Sequence, residues 1–259
     1  MLGRLTLMLA ALCLIVVGCG SSSSNKSSSS TTTAPTSPAP ASPSKLAPLH
    51  GPYNPKIDPA NFVTTIDNKY LPFKPGTGFH YRGVKGSSAQ RDDEVVTRKT
   101  KQILGVTSVA VRDTVSEHGS PIEKTTDYYA QDKQGNVWYM GEDAYEKKHG
   151  RFALASDSWR GGVKGGKPGI IMPANPQPGD RYRQEYYPPG QALDEATVLH
   201  LDGSVKVPYG SFKKALVTSE YSPLEPQTEQ KYYVAGVGEV KEMVVKGGHE
   251  EFRLVNVTH

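Results

Sequence analysis

The chain has 259 residues, with 30 Lys and Arg against 26 Asp and Glu and a formal charge of +4. Removing Arg4, Lys26 and Lys45 leaves 27 basic against 26 acidic side chains in residues 51–259, and these are interspersed. Such a balance lacks the one-sided basic face that phosphate backbones require, so nucleic acid is excluded as an expected partner. Both cysteines, Cys13 and Cys19, lie near the start, so the rest is expected to hold no disulfide and no thiolate metal site and to depend on its core.

Met1 to Arg4 carry one positive charge, and residues 5–17 form an apolar run too short to cross a bilayer as a helix of about 20 residues. Gly18-Cys19 follows Leu14-Ile15-Val16-Val17, and this resembles a bacterial lipobox. The reading is a lipoprotein signal peptide over 1–18, with cleavage leaving Cys19 free to carry diacylglycerol. Secretion without lipid is the alternative, and the lack of an A-x-A-like site after Cys19 weighs against it. Residues 19–50 then read as lipidated Cys19 plus a disordered tether, because 21–44 hold almost only Ser, Thr, Ala and Pro and cannot bury enough apolar surface to offset their conformational entropy.

Residues 51–259 read as one all-β domain. After Pro59, short runs rich in Val, Thr and Tyr are punctuated by Gly, Pro and Asp. About eleven antiparallel strands are predicted: 77–83, 93–103, 107–117, 122–131, 136–142, 181–187, 196–207, 212–221, 229–234, 239–245 and 250–257. In one of them Val109, Val111 and Val115 share a face, with Ser108, Arg112 and Thr114 on the other. So many strands are expected to curl into a barrel or half-barrel rather than remain an open sheet. Helix is predicted near 59–67, with Asp58 as its cap. Residues 155–180, crowded with Gly and Pro, read as a long loop, either a lid or a disordered excursion.

Familiar chemistries are mostly absent. Gly161 to Pro168 nearly match a phosphate-binding loop, but Pro168 stands where the magnesium-binding hydroxyl belongs. The seven histidines show no zinc spacing, and no serine sits in a G-x-S-x-G elbow, so neither metal, cofactor nor catalytic residue is assigned. The acidic pairs Asp92-Asp93, Glu142-Asp143, Asp194-Glu195 and Glu250-Glu251 are expected to stay solvated at strand ends. The positive signal is tyrosine, 14 against 6 Phe, with doublets at Tyr128-Tyr129, Tyr186-Tyr187 and Tyr232-Tyr233. Each doublet should send one ring to each face of the sheet. Tyr128, Tyr129, Trp138, Tyr139, Tyr186 and Tyr232 are therefore the candidate lining of a ligand-binding concavity, against the plainer reading that tyrosines suit a half-buried sheet.

The phrases Asp67-Asn68-Lys69-Tyr70-Leu71-Pro72, Pro75-Gly76-Thr77 with Phe79 and Tyr81, and Tyr128-Tyr129-Ala130-Gln131-Asp132 with Gly135-Asn136-Val137-Trp138-Tyr139 and Gly141-Glu142 form a set with Met172-Pro173 and Arg183-Gln184-Glu185-Tyr186-Tyr187-Pro188. Val207-Pro208-Tyr209-Gly210-Ser211-Phe212 and Lys231-Tyr232-Tyr233 with Gly236-Val237-Gly238 complete it. Together they resemble an uncharacterised family of exported bacterial proteins that brings no established activity. The tyrosine-rich meander also resembles, in architecture alone, lipoprotein carriers of the LolA and LppX kind, whose half-barrels shelter acyl chains.

The expectation is a lipoprotein held to a bacterial membrane through Cys19, facing the periplasm or the cell exterior. It would act as a non-enzymatic binding or carrier module for an apolar or amphipathic small molecule, its protein partners unknown. A carboxylate-dependent hydrolase of envelope glycans and a purely structural envelope protein are the alternatives. A large apolar concavity would favour the first, convergent buried carboxylates the second, and a filled core the third.

Overall fold

Alternating apolar and polar residues, broken by tight turns, give sixteen strands in the computed structural model, which describes residues 41–259. They are β1 (Phe62–Val63), β2 (Gly78–Lys85), β3 (Ser88–Ile103), β4 (Val106–Glu117), β5 (Ser120–Asp132), β6 (Val137–Lys148), β7 (Arg151–Leu154) and β8 (Trp159–Arg160). The second half adds β9 (Lys167–Met172), β10 (Arg181–Arg183), β11 (Glu185–Tyr186), β12 (Glu195–Val207), β13 (Gly210–Tyr221), β14 (Thr228–Val234), β15 (Gly238–Lys246) and β16 (Glu250–Thr258). Ten of the eleven predicted runs are single strands; the run 181–187 is broken at Gln184 into β10 and β11, and β1, β7, β8 and β9 are additional. The helix expected over 59–67 is a single 3₁₀ turn, Pro59–Asn61; the Asp58 carboxylate does cap it, accepting from the Ala60 N–H at 3.0 Å.

Two antiparallel meanders, β2 to β6 and β12 to β16, are joined where β16 pairs with β2, Leu254 opposite Tyr81. The sheet is nearly closed by one short stretch of chain. β10 pairs with β12 (Tyr182 opposite Ala196), and β11, one residue further on, pairs with β9 (Glu185 opposite Pro168). The wall is therefore a nearly closed barrel of about a dozen strands with a seam at 181–186. Eight strands enclose an interior that side chains just fill, so a wall of this size encloses a wider interior, called the lumen below, which the buried core side chains line.

Inward residues follow the two-residue period. On β4, Val109, Val111 and Val115 are buried as predicted, and Arg112 is exposed; Ser108 departs from the pattern, being buried with its hydroxyl donating to the Val106 carbonyl. One end of the lumen is plugged by the segment carrying Asn68. Its side-chain N–H₂ donates to the carbonyls of Gly135 and Pro173 at 2.9 and 3.0 Å, while its Oδ1 accepts from the Tyr70 and Leu71 amides. That anchorage holds Tyr70, Leu71 and Phe73 in the core.

Two expectations are corrected. Residues 155–180 are not a loop over the barrel: β8 and β9 lie within them, β9 pairs with β6, and Trp159, Ile170 and Met172 are buried. Three of the glycines that suggested a loop, Gly161, Gly166 and Gly169, serve close packing instead. A Cβ on Gly169 would lie 2.4 Å from the Gln184 carbonyl carbon, so the seam can approach β9 only where no side chain intervenes. The tether also ends earlier than expected. A short helix α1 (Pro43–Leu46) and residues 47–53 form a strap on the seam, where Ala47 is buried and its carbonyl accepts from the Arg183 N–H at 2.9 Å. The Arg183 guanidinium donates to the carbonyls of Pro48, at 3.0 Å, and Leu49, and pairs with Glu195 at 3.1 Å. The Tyr53 hydroxyl donates to the Pro168 carbonyl. These contacts satisfy backbone groups that a solvated tether would leave to water.

Candidate luminal site

Strand alternation decides what the lumen contains. Tyr129 and Asp127 share the inward face of β5, opposite Val109 and Val111 of β4; across β5, Tyr129 lies opposite Tyr139 and Asp127 opposite Glu142 of β6. The same face carries Asp92 and Glu94 on β3 and Asp113 between the two valines of β4. On the opposite meander the inward residues include Glu220, Glu229, Lys231, Tyr233 and Glu242, since Glu220 lies opposite Glu229 and Lys231 opposite Glu242.

The aromatic rings form a continuous chain beside the plug. Phe79 lies 6.3 Å from Phe73, Phe73 5.2 Å from Tyr129, and Tyr129 stacks on Tyr139 at 5.1 Å; Trp159 meets Tyr139 edge-on at 5.5 Å. Trp159 is oriented by its indole N–H, which donates to Glu185 at 2.6 Å. Tyr139 joins this apolar floor to the carboxyls. Its oxygen lies 2.6 Å from Asp127 Oδ1 and 3.0 Å from Glu142 Oε2. One phenolic proton can serve only one of them, so a protonated Glu142 donating to the phenol oxygen completes the set.

Electrostatics agrees with that proton count. Burial pushes Asp127 up to about 7 against the opposing hydrogen bond from Tyr139, and burial together with the Asp127 charge pushes Glu142 well above the carboxylate range. Asp92 is raised by burial and by the charge of Asp113. Glu94 is raised by burial, with Asp113 and Glu239 adding repulsion. Burial likewise lifts Glu229 and Glu239 to about 8. Lys231 is the counter-charge deep in the lumen, 3.5 Å from Glu220 and 3.2 Å from Glu242. Burial opposes the Lys231 charge, but Glu242 and Glu220 outweigh it and hold the ammonium protonated; burial also works against the Glu242 charge, and Lys231 nevertheless keeps that carboxyl below its usual range.

The predicted lining is thus split. Tyr129 and Tyr139 enter the lumen. Tyr128 takes the other face of β5, where its hydroxyl donates to Asp143 at 2.9 Å beside Arg160 and Lys101. Trp138 takes the other face of β6, against Phe62 at 6.3 Å, its N–H donating to Asp132 at 2.9 Å. Tyr186 sits at the seam between Tyr53 and the cations of Lys167 and Arg183, and Tyr232 is half-buried under Lys241 on the face opposite Lys231. The acidic pairs do not stay solvated: Glu142, Glu195 and Glu250 are buried, Asp92 faces the lumen, and their neighbours Asp93, Asp143 and Glu251 face out in ion pairs. Asp113 was the missed signal, an acid placed in register with Val109, Val111 and Val115. Cys19 lies outside the described residues.

No protein-family model matches the chain, and no curated protein matches it. Two solved structures align with it. One is from Bacteroides fragilis, named an exported protein with a YmcC-like fold, 12% identical with a TM-score of 0.43, covering 74% of this chain and 100% of its own. The other, named a lipoprotein, is from Parabacteroides distasonis, 11% identical with a TM-score of 0.41, covering 74% of this chain and 99% of its own. Among the described residues no helix is long and apolar enough to cross a membrane.

Proposed function

We propose that the chain is an exported lipoprotein, anchored through Cys19, whose barrel binds an amphipathic small molecule without transforming it. The observation that carries this reading is the junction at Tyr139, where an aromatic floor meets inward carboxyls in one lumen. Rings supply apolar area for one end of a ligand, and carboxyls supply hydrogen-bonding partners for the other. The plug at Asn68 closes the aromatic end, so a ligand would lie with its apolar part toward Phe73.

Native mass spectrometry of protein purified from its own envelope tests the binding. A non-covalent adduct removed by organic extraction is expected, weakened by Tyr129→Ala and unaffected by Lys133→Ala in the exposed β5–β6 turn; ligand-free protein throughout, with no affinity for alkyl probes, would leave the structural reading. Anchoring is tested separately. Cys19→Ala should release the protein from membranes, and a wild-type mature mass without added acyl chains would refute lipidation.

One observation favours the hydrolase alternative, the close pairing of the inward carboxyls of Asp92 and Asp113. A glycosidase pair needs about 5 Å or more between carboxyls, so that the sugar or a water fits between them, and a closely juxtaposed pair does not provide this. Turnover of an envelope glycan that is abolished by both Asp92→Asn and Asp113→Asn would nevertheless establish catalysis.

A further inference from the structure

Four consecutive strands, β3 to β6, turn Asp92, Glu94, Asp113, Asp127 and Glu142 into the lumen, and the inward positions along 92–96, 109–115, 123–129 and 139–144 carry no Lys or Arg. The lysine opposite, Lys231, is engaged by Glu220 and Glu242. Asp92 Oδ1 and Asp113 Oδ1 are shielded from solvent and have no hydrogen-bond partner, and the fully buried Tyr182 hydroxyl at the seam is also without one. Leaving such groups unsatisfied in a folded interior is destabilising, so a complementary group that enters is favoured. We infer that this part of the lumen receives an organic ammonium group, the cationic head of the ligand proposed above; the inference rests on the reading of the barrel as an amphiphile-binding module.

The geometry selects an ammonium over a bare metal ion. Among the described residues no three His, Cys, Asp or Glu side chains converge as a metal shell. The carboxyls are instead spread along the wall and bordered by the Tyr129–Tyr139 stack and Trp159. Carboxylates beside aromatic faces suit a bulky, weakly hydrated cation, whose N–H or N–CH₃ groups meet oxygen on one side and ring faces on the other. The alkyl part of the same molecule continues onto the floor formed with Phe73 and Phe79.

Three probes with one tail length test this on the full mature protein: dodecyltrimethylammonium, dodecyl maltoside and dodecyl sulfate, each below its micellar concentration, titrated by calorimetry. The ammonium is expected to bind at least tenfold more tightly than the maltoside, and the sulfate most weakly. The mature chain from Cys19 carries 29 basic against 26 acidic side chains, so overall charge would favour the sulfate and cannot produce that order. The double variant Asp92→Asn/Asp113→Asn, near-isosteric with the wild type, should lose the ammonium preference and keep maltoside binding. Glu94→Gln serves as a second variant should the double one fail to melt cooperatively, and Asp202→Asn, on the exposed surface, should change nothing. Equal affinity for ammonium and maltoside, or a preference that survives the luminal variants or vanishes with Asp202→Asn, overturns the ammonium inference while leaving amphiphile binding intact. Absence of binding by all three probes to folded protein overturns the amphiphile reading itself.

Discussion

Tyr139 and Tyr128 lie on neighbouring strands and end in hydroxyls bonded to carboxylates, yet they should respond differently to loss of the oxygen. The Tyr139 hydroxyl sits between two buried acids, and Asp127 depends on it as a donor. Tyr139→Phe leaves that carboxyl short of a partner in a dry site, so a loss of about 1–3 kcal/mol is expected in urea denaturation. Tyr128→Phe leaves Asp143 still held by Arg160 and Lys101 on a wetter surface, and less than about 1 kcal/mol is expected. The residue types were legible in the sequence, and so was the rule that a doublet sends one ring to each face. Which ring goes inward was not legible, because a period of two fixes alternation but not phase, and the β-bulge between Tyr128 and Tyr129 in the β5–β6 ladder shifts the phase locally.

At the scale of elements, the long hairpins could be read because each carries its own alternation and turn. The turn at Gly135 shows why: its positive φ of 96° suits glycine, and the preceding Asp132 carboxylate accepts from the Gln134 and Asn136 amides. β8 and β9 were illegible because their glycines and prolines answer to neighbours distant in sequence. Gly169→Ala should therefore destabilise by roughly 1–3 kcal/mol, as overpacking against backbone does, whereas Gly150→Ala, with open space around its Cβ, bears only the strain of its positive φ. The strap makes a parallel case, since nothing in Ser42 to Leu49 announces an apolar face, and the docking partner is Arg183. A chain beginning at Gly51 loses the Pro48 and Leu49 acceptors of that guanidinium and should melt roughly 5–10 °C below one beginning at Ala41, on the basis of about 2–3 kcal/mol lost. Equal melting points would show the strap to be energetically idle. The acids facing the lumen were legible in principle as i, i+2 partners of apolar residues. The preference of carboxylates for water argues the other way until burial is known.

The whole barrel should carry a pH dependence set by that lumen. Burial raises Asp127 to about 7 and Glu229 and Glu239 to about 8, so the folded state keeps protons that the unfolded chain releases near pH 4. Between those limits the folded state binds more protons than the unfolded one, and stability falls as pH rises, levelling off above the folded values. Asp143 and Glu242 act in the opposite sense. Burial works against both charges, but Arg160 and Tyr128 hold Asp143 low and Lys231 holds Glu242 low, so their contribution is present above about pH 4 and disappears as pH falls through their depressed values. The two sets together place the stability maximum near pH 5, with a decline from there to pH 9. Melting midpoints measured across pH 4–9 should trace that curve, and Asp127→Asn with Glu239→Gln should flatten its alkaline side while leaving the acid side in place. A midpoint that rises steadily from pH 5 to pH 9 would mean that these carboxyls ionise freely, and hence that the lumen is as wet as bulk solvent. An amphiphile that protects the folded protein more at pH 8 than at pH 5 would reveal that it neutralises the same charges from within.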